Sequence, residues 1–347
     1  MINENQHYVS RVLLERFKRP GIPLQCFELE TGEWKPRSVE KACAASGYNQ
    51  LIGFGQVDNT LEEAFSKIES RLPQTFRALE KIAVCGSTEL GSQLYDNMCW
   101  YCAFLKLSSL PAKAAAVVNF VMQLNLEVSI GQRFLLRELP IPEDVISQWE
   151  KEMRIGRKLI IDSKNVLQLV YRNQFLRLYA EEFALFRDAQ WSVSTSPIEL
   201  PMSDIGITPI HVSGENANHY ILPISPTVVL EGIFFLDLNK NKAQRSLKTL
   251  RLTREQAEYL LDAICSSAVI EIICSRKIPD ISDCFARAKR REIRFHTIVA
   301  PNLLREAGLQ RAADKLHFRT VSVPEYVSFI HSFVRPPLDN SAATVPA

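Results

Sequence analysis

Four residues of the chain carry the types of side chain that general acid–base chemistry needs. His7 stands near the start, Glu62 and Glu69 lie on a predicted helix, and Asp204 follows Ser203 before a predicted strand. A histidine with a pKa near 6.5 exchanges a proton close to neutrality, and a neighbouring carboxylate fixes its tautomer. We expect these four residues to converge in a cleft between helical and β parts. The alternative is structural: Glu62 closes a capping box, Glu69 lies on a solvated helix face, and Asp204 forms a turn or a cap.

A second hypothesis is a divalent metal site at a predicted hairpin. If the turn centres on Glu215, then His211 and His219 are cross-strand neighbours. With Asp204 they would form a two-histidine, one-carboxylate site for Zn, Mn or Fe, which lowers the pKa of a bound water. The alternative is that both histidines decorate an exposed hairpin tip.

A third signal is positive charge. Four arginines recur at helical spacing, so a helix from Asp283 onward would present them as one stripe suited to phosphate oxygens: Arg287, Arg290, Arg291 and Arg294. The alternative is a solvated or salt-bridged face. The net charge of the chain is only +2, so a nucleic-acid partner would have to be bound by this local patch.

Cysteine and glycine patterns exclude several other kinds of site. Cys99 and Cys102 lie three residues apart in an apolar helix, and we expect them to be buried small hydrophobic residues, because no second pair of matching spacing follows. The eight cysteines have no framework spacing and fit reduced thiols in a cytoplasmic protein. Gly53-Phe54-Gly55 lacks the third glycine of a nucleotide-binding loop. The uncharged stretch from Ala114 to Leu126 is too short to span a membrane.

The elements that must position these residues predict an α+β protein. A short amphipathic helix follows His7-Tyr8, and a hairpin follows it at Leu24–Leu29 and Glu33-Trp34. A helix beginning near Asn59 is kinked or ended by Pro73. We expect four regions: an N-terminal helix and hairpin over 1–57, a helical body over 58–190, a β-containing segment with following helices over 191–334, and a mobile tail over 335–347.

Several landmarks occur in a fixed order along the chain: His7-Tyr8-Val9, the helix Leu61 to Ser70, Trp191, Ser203-Asp204, Pro223-Ile224-Ser225-Pro226 and a helix from Gln256 to Ser275. Taken together they resemble a prokaryotic family, domain of unknown function 4238, whose members begin with a His-Tyr-Val-Pro motif. The sequence departs from the pattern at Ser10, where the family has Pro, at Ile205-Gly206, where Asn-Pro is usual, and at Asp262, where we expect Asn. The resemblance implies a context of bacterial mobile and defence islands.

Two functions follow as expectations. The first is a nucleic-acid-directed hydrolase of bacterial conflict, with His7, Glu62, Glu69 and Asp204 as acid–base or ligand residues and the arginines as phosphate contacts. The second is a non-catalytic module that docks a partner protein, in which the polar signature residues hold the two halves together. A cleft that gathers His7, a glutamate and Asp204 with unpaired side chains favours the enzyme, whereas satisfaction by backbone groups favours the scaffold.

Overall fold

A computed structural model gives the fold of most of the chain. It describes residues 5–46, 51–53, 56–58, 60–86, 89–109, 164–211, 217–235, 247–279, 281–283, 292–296 and 318–322, together with single residues at 112, 148 and 151. Helices and sheets are both extensive, which confirms the predicted α+β class.

The helices lie mainly in the first half of the described chain. They are α1 (Arg11–Leu14), followed by the 3-10 turn Glu15–Phe17, α2 (Thr60–Glu69), α3 (Leu72–Cys85), α4 (Ser92–Ser108), α5 (Lys164–Asp188) and α6 (Arg254–Ser267). Pro73 lies in the first turn of α3, where its missing N–H costs nothing, so the expected break before Pro73 is confirmed. Thr253 and Gln256 form the predicted capping box at the start of α6.

The strands are short and mostly antiparallel. They are β1 (Asn5–His7), β2 (Leu24–Glu28), β3 (Glu33–Arg37), β4 (Ala44–Ser46), β5 (Leu51–Gly53), β6 (Gln56–Asp58), β7 (Gln190–Thr195), β8 (Met202–Ser203), β9 (Thr208–His211), β10 (Ala217–Ser225), β11 (Val228–Phe235), β12 (Lys248–Arg251), β13 (Glu271–Cys274), β14 (Glu292–His296) and β15 (Phe318–Ser322). The largest sheet has the order β12-β7-β11-β10-β9, and a four-stranded sheet has the order β3-β2-β13-β8.

The four-stranded sheet joins segments that are far apart in sequence. The predicted hairpin β2–β3 is present, and β2 also pairs with β13, with Cys26 opposite Ile273. The hairpin therefore shares a sheet with the C-terminal half of the described chain.

Both larger sheets are buried on two faces. Cys26 and Leu222 pack in a core cluster with residues of α2 to α5, whereas their neighbours Phe27 and Ile221 pack in a second cluster with residues of α6. Successive side chains of a strand point to opposite faces, so the sheets lie between α6 and the other long helices.

Two expectations about the C-terminal part are wrong. The helix predicted from Gln256 to Ser275 ends at Ser267, and Glu271–Cys274 form β13 instead. Arg294 lies in β14, opposite Thr320, and not on a helix that continues from Asp283. The isoleucines of β13 are buried on both faces, a pattern that a buried helix and a buried strand share.

In the part of the chain that is described, no helix combines the length and the apolarity needed to cross a membrane.

Candidate functional site

Three of the four predicted acid–base residues are coupled electrostatically, either directly or through Arg11. Glu62 and Glu69 are seven residues apart on α2, which is about two turns, so they share one helix face. The charge of Glu62 acts on Glu69, and the charge of Arg11, at the start of α1, acts on both His7 and Glu69. The α2 polar cluster is defined here as His7, Ser10, Arg11, Glu62, Glu69 and Tyr101.

Glu69 is the titratable centre of this cluster. Burial, followed by the negative charge of Glu62, raises the pKa of Glu69 to about 7, although Ser10 and Arg11 act in the opposite direction. Glu69 is only partly exposed, whereas the alternative interpretation places it on a fully solvated helix face. A carboxyl group that is half ionised near neutrality can both accept and return a proton.

His7 is neutral in this setting. Burial, followed by the positive charge of Arg11, lowers the pKa of His7 to about 4, against the opposing effects of a hydrogen bond with the Ala42 backbone and of the Glu40 charge. Nδ1 of the ring is buried and has no hydrogen-bond partner among the described residues. The imidazole is therefore a candidate hydrogen-bonding group, and not a cation, at pH 7.

Two buried hydroxyl groups complete the cluster. Ser10, in the connection before α1, and Tyr101, on α4, are 0% and 1% exposed. The Ser10 hydroxyl approaches Glu69 and Tyr101 closely enough to affect the pKa of each. Neither hydroxyl oxygen has a partner at ordinary hydrogen-bonding geometry within the described residues, so the contacts of Ser10 with Glu69 and Tyr101 fall outside that geometry.

Asp204 has different surroundings. Its side chain is fully buried, and its two carboxylate oxygens accept hydrogen bonds from the backbone N–H groups of Val269 at 2.9 Å, Ile270 at 2.6 Å and Glu271 at 3.2 Å. Burial raises the pKa of Asp204 to about 7, the Glu271 charge adds to this, and the three N–H groups act in the opposite direction. Asp204 therefore holds the joint between α6 and β13 through contacts that are distant in sequence, a structural role other than the local turn or cap named as the alternative.

A chain of hydroxyl groups supports the same joint. Ser203 Oγ lies 3.4 Å from Thr208 Oγ1, which lies 3.0 Å from Ser267 Oγ at the end of α6. The Ser203-Asp204 pair thus contacts the start of β13 directly and the end of α6 through Thr208.

An ion-pair network with two buried carboxylates lies beside Asp204. The Arg37 guanidinium contacts Glu28 at 2.5 Å and Glu271 at 3.3 Å, and Lys35 also contacts Glu28 at 2.5 Å. Burial raises the pKa of Glu271, and Arg37 opposes this shift. The other oxygen of Glu271 accepts the backbone N–H of Cys43 at 2.7 Å.

Cys43 connects the two buried polar regions. Its φ of 48° is the one left-handed value among the described non-glycine residues, and its backbone carbonyl accepts the N–H of Tyr8 at 3.0 Å. The charges of Glu271 and Asp204 help to raise the pKa of the Cys43 thiol, and Cys43 in turn helps to raise the pKa of Tyr101. Asp204 and Tyr101 of the α2 polar cluster therefore both lie near Cys43.

The register expected for the metal hypothesis is wrong. β9 pairs with β10 so that His211 lies opposite Asn218, and His219 lies opposite Ile210. The one-residue shift removes the cross-strand pairing of the two histidines. His219 Nδ1 instead lies 3.1 Å from Glu231 on β11. Among the described residues, no three histidine, cysteine, aspartate or glutamate side chains are grouped as a metal site would require.

The remaining sequence candidates divide between observed and undescribed positions. Cys99 and Cys102 are buried in α4, as predicted. The seven cysteines within the described chain are all free thiols. Arg287, Arg290 and Arg291 lie outside the described residues, as does the predicted tail over 335–347.

Comparison with known proteins identifies a family. The model of a protein family of unknown function, DUF4238, matches residues 5–277. The chain belongs to this family. No curated protein and no solved structure matches it. The matched region of the family contains the α2 polar cluster, Asp204 and both larger sheets.

Sequence reasoning did not find Ser10, Arg11 or Tyr101. Ser10 stands where the resemblance leads us to expect Pro. That departure is the one signal in the sequence, because serine brings a hydroxyl group to a position where proline has no polar side chain. Tyr101 lies in an apolar helix, where an aromatic residue indicates core packing.

Proposed function

We propose that this family member is a hydrolase directed at nucleic acid, with Glu69 as the group that transfers the proton. The observation that carries the proposal is the α2 polar cluster, in which a carboxyl group with a pKa of about 7 lies near the buried hydroxyl groups of Ser10 and Tyr101. Catalytic carboxyl groups are commonly brought to such values by burial and by a neighbouring like charge.

The proposed reaction uses the residues as follows. Ionised Glu69 accepts a proton from the attacking water, whose oxygen bonds to phosphorus, and the protonated carboxyl returns the proton to the leaving oxygen. Arg11, which is exposed, contacts the phosphate. Ser10 and Tyr101 position Glu69, and His7 accepts a hydrogen bond through Nδ1. Asp204 acts as a structural residue in this scheme.

The substrate class rests on the sequence. Arg287, Arg290 and Arg291 supply a basic run suited to phosphate oxygens, and the family resemblance implies a context of bacterial mobile and defence islands.

The test is cleavage of RNA, single-stranded DNA and duplex DNA, each with several divalent ions and with a chelator. Glu69→Gln should reduce cleavage by about 100-fold or more, because it removes the proton acceptor and keeps the shape. The matched control is Glu181→Gln, which changes an exposed glutamate of α5 and should retain wild-type cleavage. Cleavage that is equal in the two variants, or absent for all three substrates, contradicts the proposal.

One observation favours the second candidate function, a non-catalytic interaction module. The signature aspartate, Asp204, is satisfied by backbone N–H groups, as expected of a residue that holds two segments together. A protein with no cleavage activity and a partner that binds the wild type and Glu69→Gln equally would support this function.

A further inference from the structure

A cleft beside α2 has no role in the proposed hydrolysis. It has a volume of about 400 Å³ and is lined by Glu63 and Lys67 of α2, by Arg71 just before α3, by Asn97 and Trp100 of α4, and by Tyr179 of α5. A cleft of this size suits a small molecule or one unit of a polymer.

The cleft combines aromatic and cationic groups. Trp100 stacks on Phe183 at a ring-centroid distance of 3.7 Å, and the Tyr179 hydroxyl donates to the Trp100 backbone carbonyl at 3.1 Å. These contacts fix the indole, whose remaining surface lines the cleft. A rigid aromatic surface of this kind is suited to stacking with a planar ring.

Three polar groups of the lining have no partner in the described part of the chain. Lys67 and Arg71 are exposed and make no ion pair there, and the side-chain amide of Asn97 makes no hydrogen bond, although Asn97 is only 9% exposed. The two cations outweigh the single carboxylate of Glu63. The lining thus offers an amide with both a donor and an acceptor beside a net positive rim.

We propose that this cleft binds a nucleotide, with the base against Trp100 and Asn97 and the phosphate at Lys67 and Arg71. A base supplies the planar ring together with hydrogen-bond donors and acceptors at its edge, and the phosphate supplies the charge. The nucleotide is either a free mononucleotide or one unit of a single strand. The assignment does not depend on hydrolysis at Glu69.

The experiment measures equilibrium binding to the full-length Glu69→Gln protein, so that cleavage does not interfere. The probes are the four ribonucleoside monophosphates, the four nucleosides, inorganic phosphate, and eight-nucleotide homopolymers. A monophosphate should bind at least about tenfold more tightly than its nucleoside or than phosphate alone, since base and phosphate contribute together. Tighter binding of the homopolymer identifies a strand as the source, and equal binding identifies the free nucleotide.

Two variants locate the site. Ala64→Phe places a ring in the cleft from an exposed position of α2 and should abolish binding without changing charge. Arg71→Gln should weaken monophosphate binding about tenfold and leave nucleoside binding unchanged. The control is Lys81→Gln, an exposed cation of α3 outside the cleft, which should bind as the parent does.

The assignment is overturned if no nucleotide binds the parent protein, or if Ala64→Phe binds as tightly as the parent. Binding is measured on Glu69→Gln, which lacks the proposed catalytic carboxylate. A failure to bind nucleotide therefore leaves the hydrolase proposal standing, and a failure to cleave leaves the nucleotide site standing.

Discussion

Removal of the Asp204 carboxylate should strongly reduce the stability of the fold. In Asp204→Ala the N–H groups of Val269, Ile270 and Glu271 lose their acceptor at a fully buried position. Each unsatisfied buried donor costs about 1–3 kcal/mol, so we expect a loss of at least about 3 kcal/mol in the free energy of unfolding. This is a large share of the roughly 5–15 kcal/mol that stabilises a typical domain.

The assay is denaturant unfolding of wild type, Asp204→Ala and Asp204→Asn at several pH values. Asn keeps one acceptor oxygen and should lose less than Ala. The control Asp283→Ala removes an exposed aspartate and should change the stability by less than about 0.5 kcal/mol.

The pH dependence gives a second readout. Because the pKa of Asp204 is raised to about 7 in the folded protein, the folded state binds the proton more tightly than the unfolded state. The contribution of Asp204 to the free energy of unfolding of wild type therefore falls as the pH rises from about 4 to 7. The difference in stability between wild type and Asp204→Asn should shrink over the same pH range. A loss below about 1 kcal/mol in Asp204→Ala would refute the structural role.

Three further predictions concern stability and can be measured by the same unfolding assay. Glu69→Gln should become more stable than wild type as the pH rises from about 4.5 to 7, by roughly 3 kcal/mol at most, because wild type must ionise a carboxyl group whose pKa is raised to about 7; an unchanged difference across this window contradicts the titration. Gly232→Ala should cost about 1–3 kcal/mol, since its Cβ would lie 2.7 Å from the buried Trp191 ring, and Trp191→Phe should reduce that cost in a double-mutant cycle; additivity would contradict the contact. Thr253→Ala should cost about 1 kcal/mol through loss of the α6 cap, and no change would mean that the cap contributes nothing.

Local patterns of the sequence predicted much of the fold. The break at Pro73 and the capping box at Thr253 depend on residues within one helical turn, and both are confirmed. The hairpin β2–β3 is equally local. Such elements follow from neighbouring residues alone, because their hydrogen bonds close over a few positions.

Features that depend on distant pairing could not be predicted in the same way. Asp204 binds backbone groups 65 to 67 residues away, and no spacing in the sequence indicates that contact. The metal hypothesis required the register of β9 and β10 to be known to a single residue, and the observed register puts Asn218 opposite His211. The apolar run that forms β13 fits a buried helix as well as a buried strand, so its sequence pattern does not distinguish the two.

Only the part of the candidate site that depends on local spacing could be predicted. Glu62 and Glu69 share a face of α2 by helical spacing alone, whereas their proximity to Arg11 depends on how α1 packs near α2. The pKa of Glu69 depends on burial, which the sequence did not indicate.

The most direct test of the central claim is the titration of Glu69 itself. Carboxyl ¹³C chemical shifts of labelled glutamate, followed from pH 3 to 9 and assigned with Glu69→Gln, report its ionisation in the folded protein. The α2 polar cluster predicts a midpoint near 7. A midpoint near the ordinary glutamate value of about 4.3 would contradict the proposed proton-transfer role.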